Sequence, residues 1–215
     1  MSDTQATLYG YHRSSTSYRL RILLNLKGIA YETVPVALDK GAQREAAFLE
    51  INPMGGLPVL EIDGLRLVQA PAMIDYIEEH YDTPKLLPDA VAARQRVREI
   101  AALVACDVHP LNNLRVLKHL RMAYGADDAA IADWYRHWIH AAFPALEHMV
   151  GADGDAPFCV GDRLSLAEIY LIPQIYNAVR FDVDMTAYPK LARIDAHCAS
   201  VPAFTDAHPD KHRVD

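Results

Sequence analysis

Two β-prone runs, Leu57 to Ile62 and Leu65 to Val68, are separated only by Asp63-Gly64. A two-residue loop of this kind reads as a hairpin, because both positions tolerate positive φ. That hairpin anchors the reading on either side. Upstream, Thr7 to Tyr11 is a short β-prone run, and Arg13-Ser14-Ser15-Thr16-Ser17 leads into a helical pattern carrying Leu20, Leu23, Leu24 and Leu26. Hydroxyl residues ahead of an amphipathic run are N-cap material, and Lys27-Gly28 is a C-terminal stop. Tyr31 to Leu38 reads as a second strand, followed by a short polar helix ending at Asn52-Pro53. After the hairpin, Pro71 to Tyr81 is a helix with proline at or near its first position. The elements therefore run β-α-β-α-β-β-α.

Asp82 to Pro88 is a proline-marked connector, and beyond it no convincing strand appears. Helical periodicity runs from Ala90 to Tyr124, from Asp127 to Val150 and from Ser165 to Val179, with Pro110 placed to kink the first of these. The change from α/β to all-α marks a domain boundary, giving units over 5–84 and 90–212. Ser165-Leu166-Ala167-Glu168 fits a capping box with Leu164 and Ile169 as its hydrophobic staple, a structural motif.

The net charge of −7 argues against a nucleic-acid partner. Cys106, Cys159 and Cys198 are odd in number and form no close pair, which fits reduced thiols in a cytosol. The first residues show neither a basic n-region nor an apolar h-region, and no apolar run reaches the ~20 residues of a membrane span. The chain reads as soluble and cytoplasmic, with no membrane partner. His137 and His140 have the spacing that places two imidazoles on one helical face, but no third ligand accompanies them, so no metal site is expected.

The segments Arg13 to Arg21, Leu26-Lys27-Gly28, Asn52-Pro53-Met54, Leu57-Pro58, Gln69, His109 to Asn113 and Arg180 to Asp184 resemble the zeta class of the glutathione transferases. That class includes maleylacetoacetate and maleylpyruvate isomerases, and the segments span nearly the whole chain in the family's order. The resemblance implies an N-terminal thioredoxin-like domain and an all-helical C-terminal domain. It implies a homodimer with one glutathione site per subunit.

The family's work is to hold the glutathione sulfur as a thiolate and offer it to an electrophile. A helix N-terminus favours an anion, and a nearby hydroxyl that donates to sulfur lowers its pKa. By resemblance Ser14 donates to the sulfur, with Arg13 and Thr16 beside it as catalytic candidates; by pattern alone these hydroxyls merely cap the helix. Many zeta members have cysteine where this chain has Thr16, so glutathione would supply the only sulfur nucleophile. Ser15, Gln43, Leu57, Pro58, Gln69, Ala70, His109 and Asn113 are the further residues the resemblance assigns to glutathione. Leu57-Pro58 matches a turn whose cis proline exposes a backbone edge, although trans is the default for an isolated X-Pro bond. Ala70 stands where the family usually has serine. Read as the N-cap before Pro71, alanine costs about 0.5–2 kcal/mol and removes a donor to the γ-glutamyl carboxylate. Weakened glutathione binding is the expectation. Tyr9 and Tyr11 read as strand packing rather than as sulfur donors.

The implied substrate is a short dicarboxylic keto acid whose carboxylates Arg13, Arg180 and Arg115 would grip, since guanidinium donates in a planar fork. The bland readings are solvated arginines and, for His109, helix packing. The implied reaction is cis–trans isomerisation of maleylacetoacetate or maleylpyruvate in aromatic catabolism. A glutathione transferase acting on haloacid or aryl electrophiles and a non-catalytic binding protein of the same fold are the alternatives.

Overall fold

A computed structural model describes residues 6–151 and 156–213. Residue 5, the expected start of the first domain, and the leader reading lie outside them. The chain forms two compact units, one running to Lys85 and resuming at Ser200, the other spanning Leu86–Ala199.

In the N-terminal unit β1 (Ala6–Gly10), β2 (Tyr31–Pro35), β3 (Val59–Ile62) and β4 (Leu65–Val68) form one mixed sheet in the order β2-β1-β3-β4. β1 pairs parallel with β2 and antiparallel with β3, and β3 pairs antiparallel with β4. The expected hairpin is present, with φ of 53° at Asp63 and 75° at Gly64. Asp63 also accepts hydrogen bonds from the hydroxyls of Tyr76 and Tyr81, tying the turn to the helix that follows. Two strands are shorter than expected. β2 stops at Pro35, and β3 begins only at Val59, because Pro58 brings no N–H to the ladder.

Helix α1 (Ser15–Lys27) ends, as expected, on Gly28 in the left-handed conformation. It is not amphipathic. Arg19, Arg21 and Lys27 are buried along with Leu20, Leu23 and Leu24, and the C-terminal stretch returns to cover part of the helix. Helix α9 (Pro202–Ala207) packs on α1, Arg21 Nε donates to the Ala207 carbonyl at 2.8 Å, and Asn25 donates to that of Ala203 at 3.0 Å. The expected boundary at residue 212 is therefore corrected: the chain leaves the helical unit after Ala199. At the far end of α1, Lys27 Nζ meets Glu78 at 2.6 Å and the Pro84 carbonyl at 2.7 Å.

A one-turn 3-10 helix (Ala42–Arg44) and α2 (Ala46–Ile51) precede the hairpin, and α3 (Ala70–His80) follows it. The N-cap of α3 is Gln69, so the reading of Ala70 as N-cap is corrected; Ala70 is the first helical residue and is buried. The cap penalty assigned to its alanine does not apply.

The helical unit contains α4 (Val91–Ala102), α5 (Leu114–Tyr124), α6 (Asp128–Met149), α7 (Leu166–Arg180) and α8 (Pro189–Cys198). The single helix expected over 90–124 is broken. α4 runs into a π-helical segment, Leu103–Val108, the chain turns at Pro110, and α5 restarts with Asn113 as N-cap. The expected capping box on α7 is present: Glu168 Oε2 accepts from the Ser165 N–H and hydroxyl, both at 2.8 Å. Among the described residues no helix is long and apolar enough to cross a membrane.

Asp195, on α8, is half-buried, and burial raises its carboxyl pKa to about 6. A carboxyl whose pKa is higher in the folded than in the unfolded chain binds more protons when folded. Its ionised form therefore costs stability, and the cost grows as pH rises from about 4 to about 6. After discount for partial exposure, Asp195→Asn should stabilise the protein by about 1–2 kcal/mol at neutral pH and by nothing near pH ~4. Urea unfolding at both pH values checks this; an equal effect at both would refute it.

Candidate functional site

The hydroxyl-rich segment lies at the N-terminus of α1. Gly10, the last residue of β1, lets strand and helix approach closely, since a Cβ there would stand 3.2 Å from Ser17 Oγ. Ser14 is the N-cap, with extended backbone, and its Oγ accepts from the Ser17 N–H at 3.2 Å. The bland reading of this serine as a cap is thus part of its role. Ser14 Oγ also lies 2.9 Å from Thr16 Oγ1, and Thr16 donates to the Leu57 carbonyl at 3.0 Å. Ser15 is buried. Ser14, Thr16, Leu57 and the cis Pro58 are therefore brought together, in keeping with the turn the sequence suggested.

Gln43 is buried in the 3-10 turn, and its Oε1 has no hydrogen-bond partner among the described residues. Such an acceptor is costly unless something donates to it. The loop at Gly55 passes close to its backbone: φ there is 61° and a Cβ would meet the Gln43 carbonyl at 2.8 Å. Gln69 is exposed and has φ 70° and ψ 107°, an unusual conformation for a non-glycine residue and a form of strain that clusters at ligand-binding positions.

The tyrosines separate. Tyr9 lies in β1 and its hydroxyl bonds Glu61 at 3.2 Å, away from a sulfur-donor role. Tyr11 lies beyond the strand, so its reading as strand packing is corrected. Its hydroxyl accepts from Arg13 Nε at 3.3 Å and Nη2 at 2.8 Å, and so fixes the direction of that guanidinium. Nothing in the sequence pattern signals this pair. His12, between them, titrates below its usual range because of burial and then the neighbouring Arg13 and Arg213.

In the helical unit Asn113 Oδ1 accepts from the Arg115 N–H at 3.1 Å, which leaves its amide nitrogen facing His109 Nε2 at a long 3.5 Å. Arg115 is exposed. Arg180, also exposed, stands over the rings of Tyr176 and Phe181 and donates to Asn177 Oδ1 at 3.3 Å. His140 bonds the Tyr188 hydroxyl at 2.9 Å, while His137 packs edge-on against Trp138. Among the described residues no group of three or more metal-ligating side chains is found. The thiols of Cys159 and Cys198 are pushed well up by burial and then by Glu168, so neither presents a thiolate at neutral pH.

Asn113→Ala should lower stability by about 1 kcal/mol through loss of the α5 cap, and Asn113→Asp should restore most of it. Denaturant unfolding of the pair checks this; equal loss in both would show that the amide contact to His109 outweighs the cap.

Residues 4–79 match the family described as glutathione S-transferase, N-terminal domain. A maleylpyruvate isomerase from Ralstonia is 46% identical over 94% of this chain and 96% of its own length. The holo structure of a maleylpyruvate isomerase, a bacterial zeta-class glutathione transferase, aligns with a TM-score of 0.92 at 46% identity, covering 94% of this chain and 96% of that one. The maleylacetoacetate isomerase of Anaeromyxobacter dehalogenans with glutathione in its active site aligns with a TM-score of 0.86 at 41% identity, over 97% of this chain and 96% of that one.

Proposed function

Because the chain belongs to the zeta class of the glutathione transferases, we propose that it is a glutathione-dependent isomerase converting a maleyl keto acid to its fumaryl form. The observation that carries this reading is the cluster at the N-terminus of α1, where Ser14, Thr16 and the Leu57 carbonyl lie within hydrogen-bond reach of one another. Glutathione, when bound, would supply the nucleophilic thiolate for a reversible addition to the conjugated double bond that permits rotation.

The protein's part is to bind, orient and stabilise charge. The Ser14 hydroxyl donates toward the sulfur, and the N-terminus of α1 adds the positive end of its dipole. The Leu57 backbone receives the cysteinyl portion. The unpartnered Gln43 Oε1 fits a ligand N–H donor, and the Gln69 and Ala70 backbones hold the γ-glutamyl end. His109 and Asn113 are proposed as further glutathione contacts from the helical unit.

Arg13, held by Tyr11, is proposed to meet a substrate carboxylate, and Arg180 and Arg115 are proposed for the same chemistry. In the same reading the protein works in the cytoplasm as a homodimer, in keeping with the exposed Leu65 and Val68 on edge strand β4.

The test is loss of maleylpyruvate and maleylacetoacetate absorbance with and without glutathione. Glutathione-dependent formation of the fumaryl product is expected, and the faster substrate names the acid. Ser14→Ala should cut kcat/KM by about ten- to hundredfold, the worth of a hydrogen bond to a charged group, with the fold intact. Loss of neither acid, alongside turnover of an aryl or haloacid electrophile, would make the protein a conjugating transferase instead.

Ala70→Ser restores the hydroxyl usual in the family at the first residue of α3. It should tighten glutathione binding by about tenfold while changing stability little, since position 70 is not the cap. Calorimetric titration beside a thermal melt separates the two effects, and unchanged affinity would refute the assignment of this position to the γ-glutamyl group.

A further inference from the structure

Hydrogen counting at the start of α1 gives the hydroxyl cluster a direction. A threonine hydroxyl has a single hydrogen, and a carbonyl oxygen only accepts. Thr16 Oγ1 lies 3.0 Å from the Leu57 carbonyl and donates to it. The 2.9 Å contact between Ser14 Oγ and Thr16 Oγ1 must then run from Ser14 to Thr16. Ser14 Oγ meanwhile accepts from the Ser17 N–H at 3.2 Å. In the ligand-free chain the Ser14 hydrogen is therefore committed to Thr16, and the chain of donation ends on Leu57.

A thiolate only accepts, so the Ser14 hydrogen must leave Thr16 to reach it. Simple rotation would leave Thr16 Oγ1 without its donor. Rotation of both hydroxyls keeps the contact and reverses it. Thr16 then donates to Ser14 Oγ, Ser14 donates to the sulfur, and the Leu57 carbonyl is released. No covalent bond forms or breaks and no proton changes its oxygen.

In that arrangement Ser14 Oγ accepts from both the Ser17 N–H and the Thr16 hydroxyl, and donors feeding one oxygen strengthen its own outgoing bond. The released Leu57 carbonyl becomes available to an N–H of the ligand, at the backbone edge where the cysteinyl portion is proposed to lie. Ligand binding and thiolate stabilisation are thereby linked through one side chain.

We propose that Thr16 is a positioning residue: it holds the Ser14 hydroxyl away from the sulfur position in the free protein and, by turning its own hydrogen from the Leu57 carbonyl to Ser14, aims and strengthens Ser14 as donor once the thiolate is present. This rests on the glutathione reading above and assigns to Thr16 no contact with sulfur.

The test titrates the ultraviolet absorbance of glutathione thiolate bound to the whole protein, with no maleyl acid present. Thr16→Val, close in shape and lacking the hydroxyl, should raise the apparent thiol pKa by about one unit, a tenfold loss of thiolate at a given pH below it. Thr16→Ser, which keeps the hydroxyl, should titrate within a few tenths of wild type, and Ser14→Ala should shift further than either. Thermal melts of the ligand-free variants identify any that fail to fold; should Thr16→Val be among them, Thr16→Ala carries the same expectation.

Coincident titration of the hydroxyl-free variant and wild type overturns the proposal, as does a Thr16→Ser shift equal to that of the hydroxyl-free variant. A wild-type protein that binds no glutathione overturns it together with the reading it rests on. Normal titrations in a protein that isomerises neither maleyl acid leave the role of Thr16 supported and remove only the proposed reaction.

Discussion

The N-terminal unit depends on where α1 is fixed, and two buried cations fix it. Arg21 binds the Ala207 carbonyl through Nε and the His12 carbonyl through Nη2, at 2.8 and 3.0 Å. Lys27 is paired with Glu78 and bonded to the Pro84 carbonyl. A buried cation is costly to desolvate, and removing one partner of a buried pair costs about 3–5 kcal/mol because the other charge is left uncompensated. Such contacts tolerate little displacement. Arg21 joins the helix to the residue just before Arg13 and to the returning C-terminal segment, while Lys27 joins it to α3 and the connector beyond. The helix N-terminus is therefore placed by contacts well away from it.

That placement matters because what the N-terminus presents is short-range. The Ser14 and Thr16 hydroxyls and the Leu57 carbonyl are linked by contacts of 2.9 and 3.0 Å, and hydrogen bonds weaken steeply beyond such distances. Gly10 allows the strand to come close enough for Ser17 to accept from the Tyr11 N–H, and Gly55 lets its loop close over the Gln43 backbone. The strained backbone at Gln69 and the unpartnered oxygen of Gln43 are features a stability optimum would remove. Both fall among the residues assigned to glutathione.

What could be read from the sequence was local. Asp63-Gly64 announced its turn, Ser14 and Ser165 their caps, and Gly28 its helix stop, because each rule acts within a few residues. The break near Pro110 was visible for the same reason, although not the π-helical turn ahead of it. What escaped was non-local. The return of residues 202–207 to α1 has no sequence signature, since it shows only in the burial of polar faces that pattern reading takes as solvated. The N-cap of α3 fell one residue early because Gln69 adopts a conformation no propensity favours. Tyr11 reads as a strand residue by pattern, but β1 stops at Gly10, where Val36 donates its N–H to the last strand carbonyl. As for the site, resemblance points to the residues, and only the fold gives each hydroxyl its partner.

The residue at position 16 shows how one side chain divides the chemistry. The cysteine that many zeta members carry there would place a second sulfur beside glutathione, a competing nucleophile and a weaker donor to the Leu57 carbonyl. Threonine gives up the nucleophile and gains a defined donor. The buried thiols of Cys159 and Cys198, pushed up by burial, are held protonated and add no thiolate of their own. A site built this way depends on orienting two hydroxyl hydrogens rather than on the acidity of any protein thiol. Its precision then comes from the same contacts that hold α1 in place.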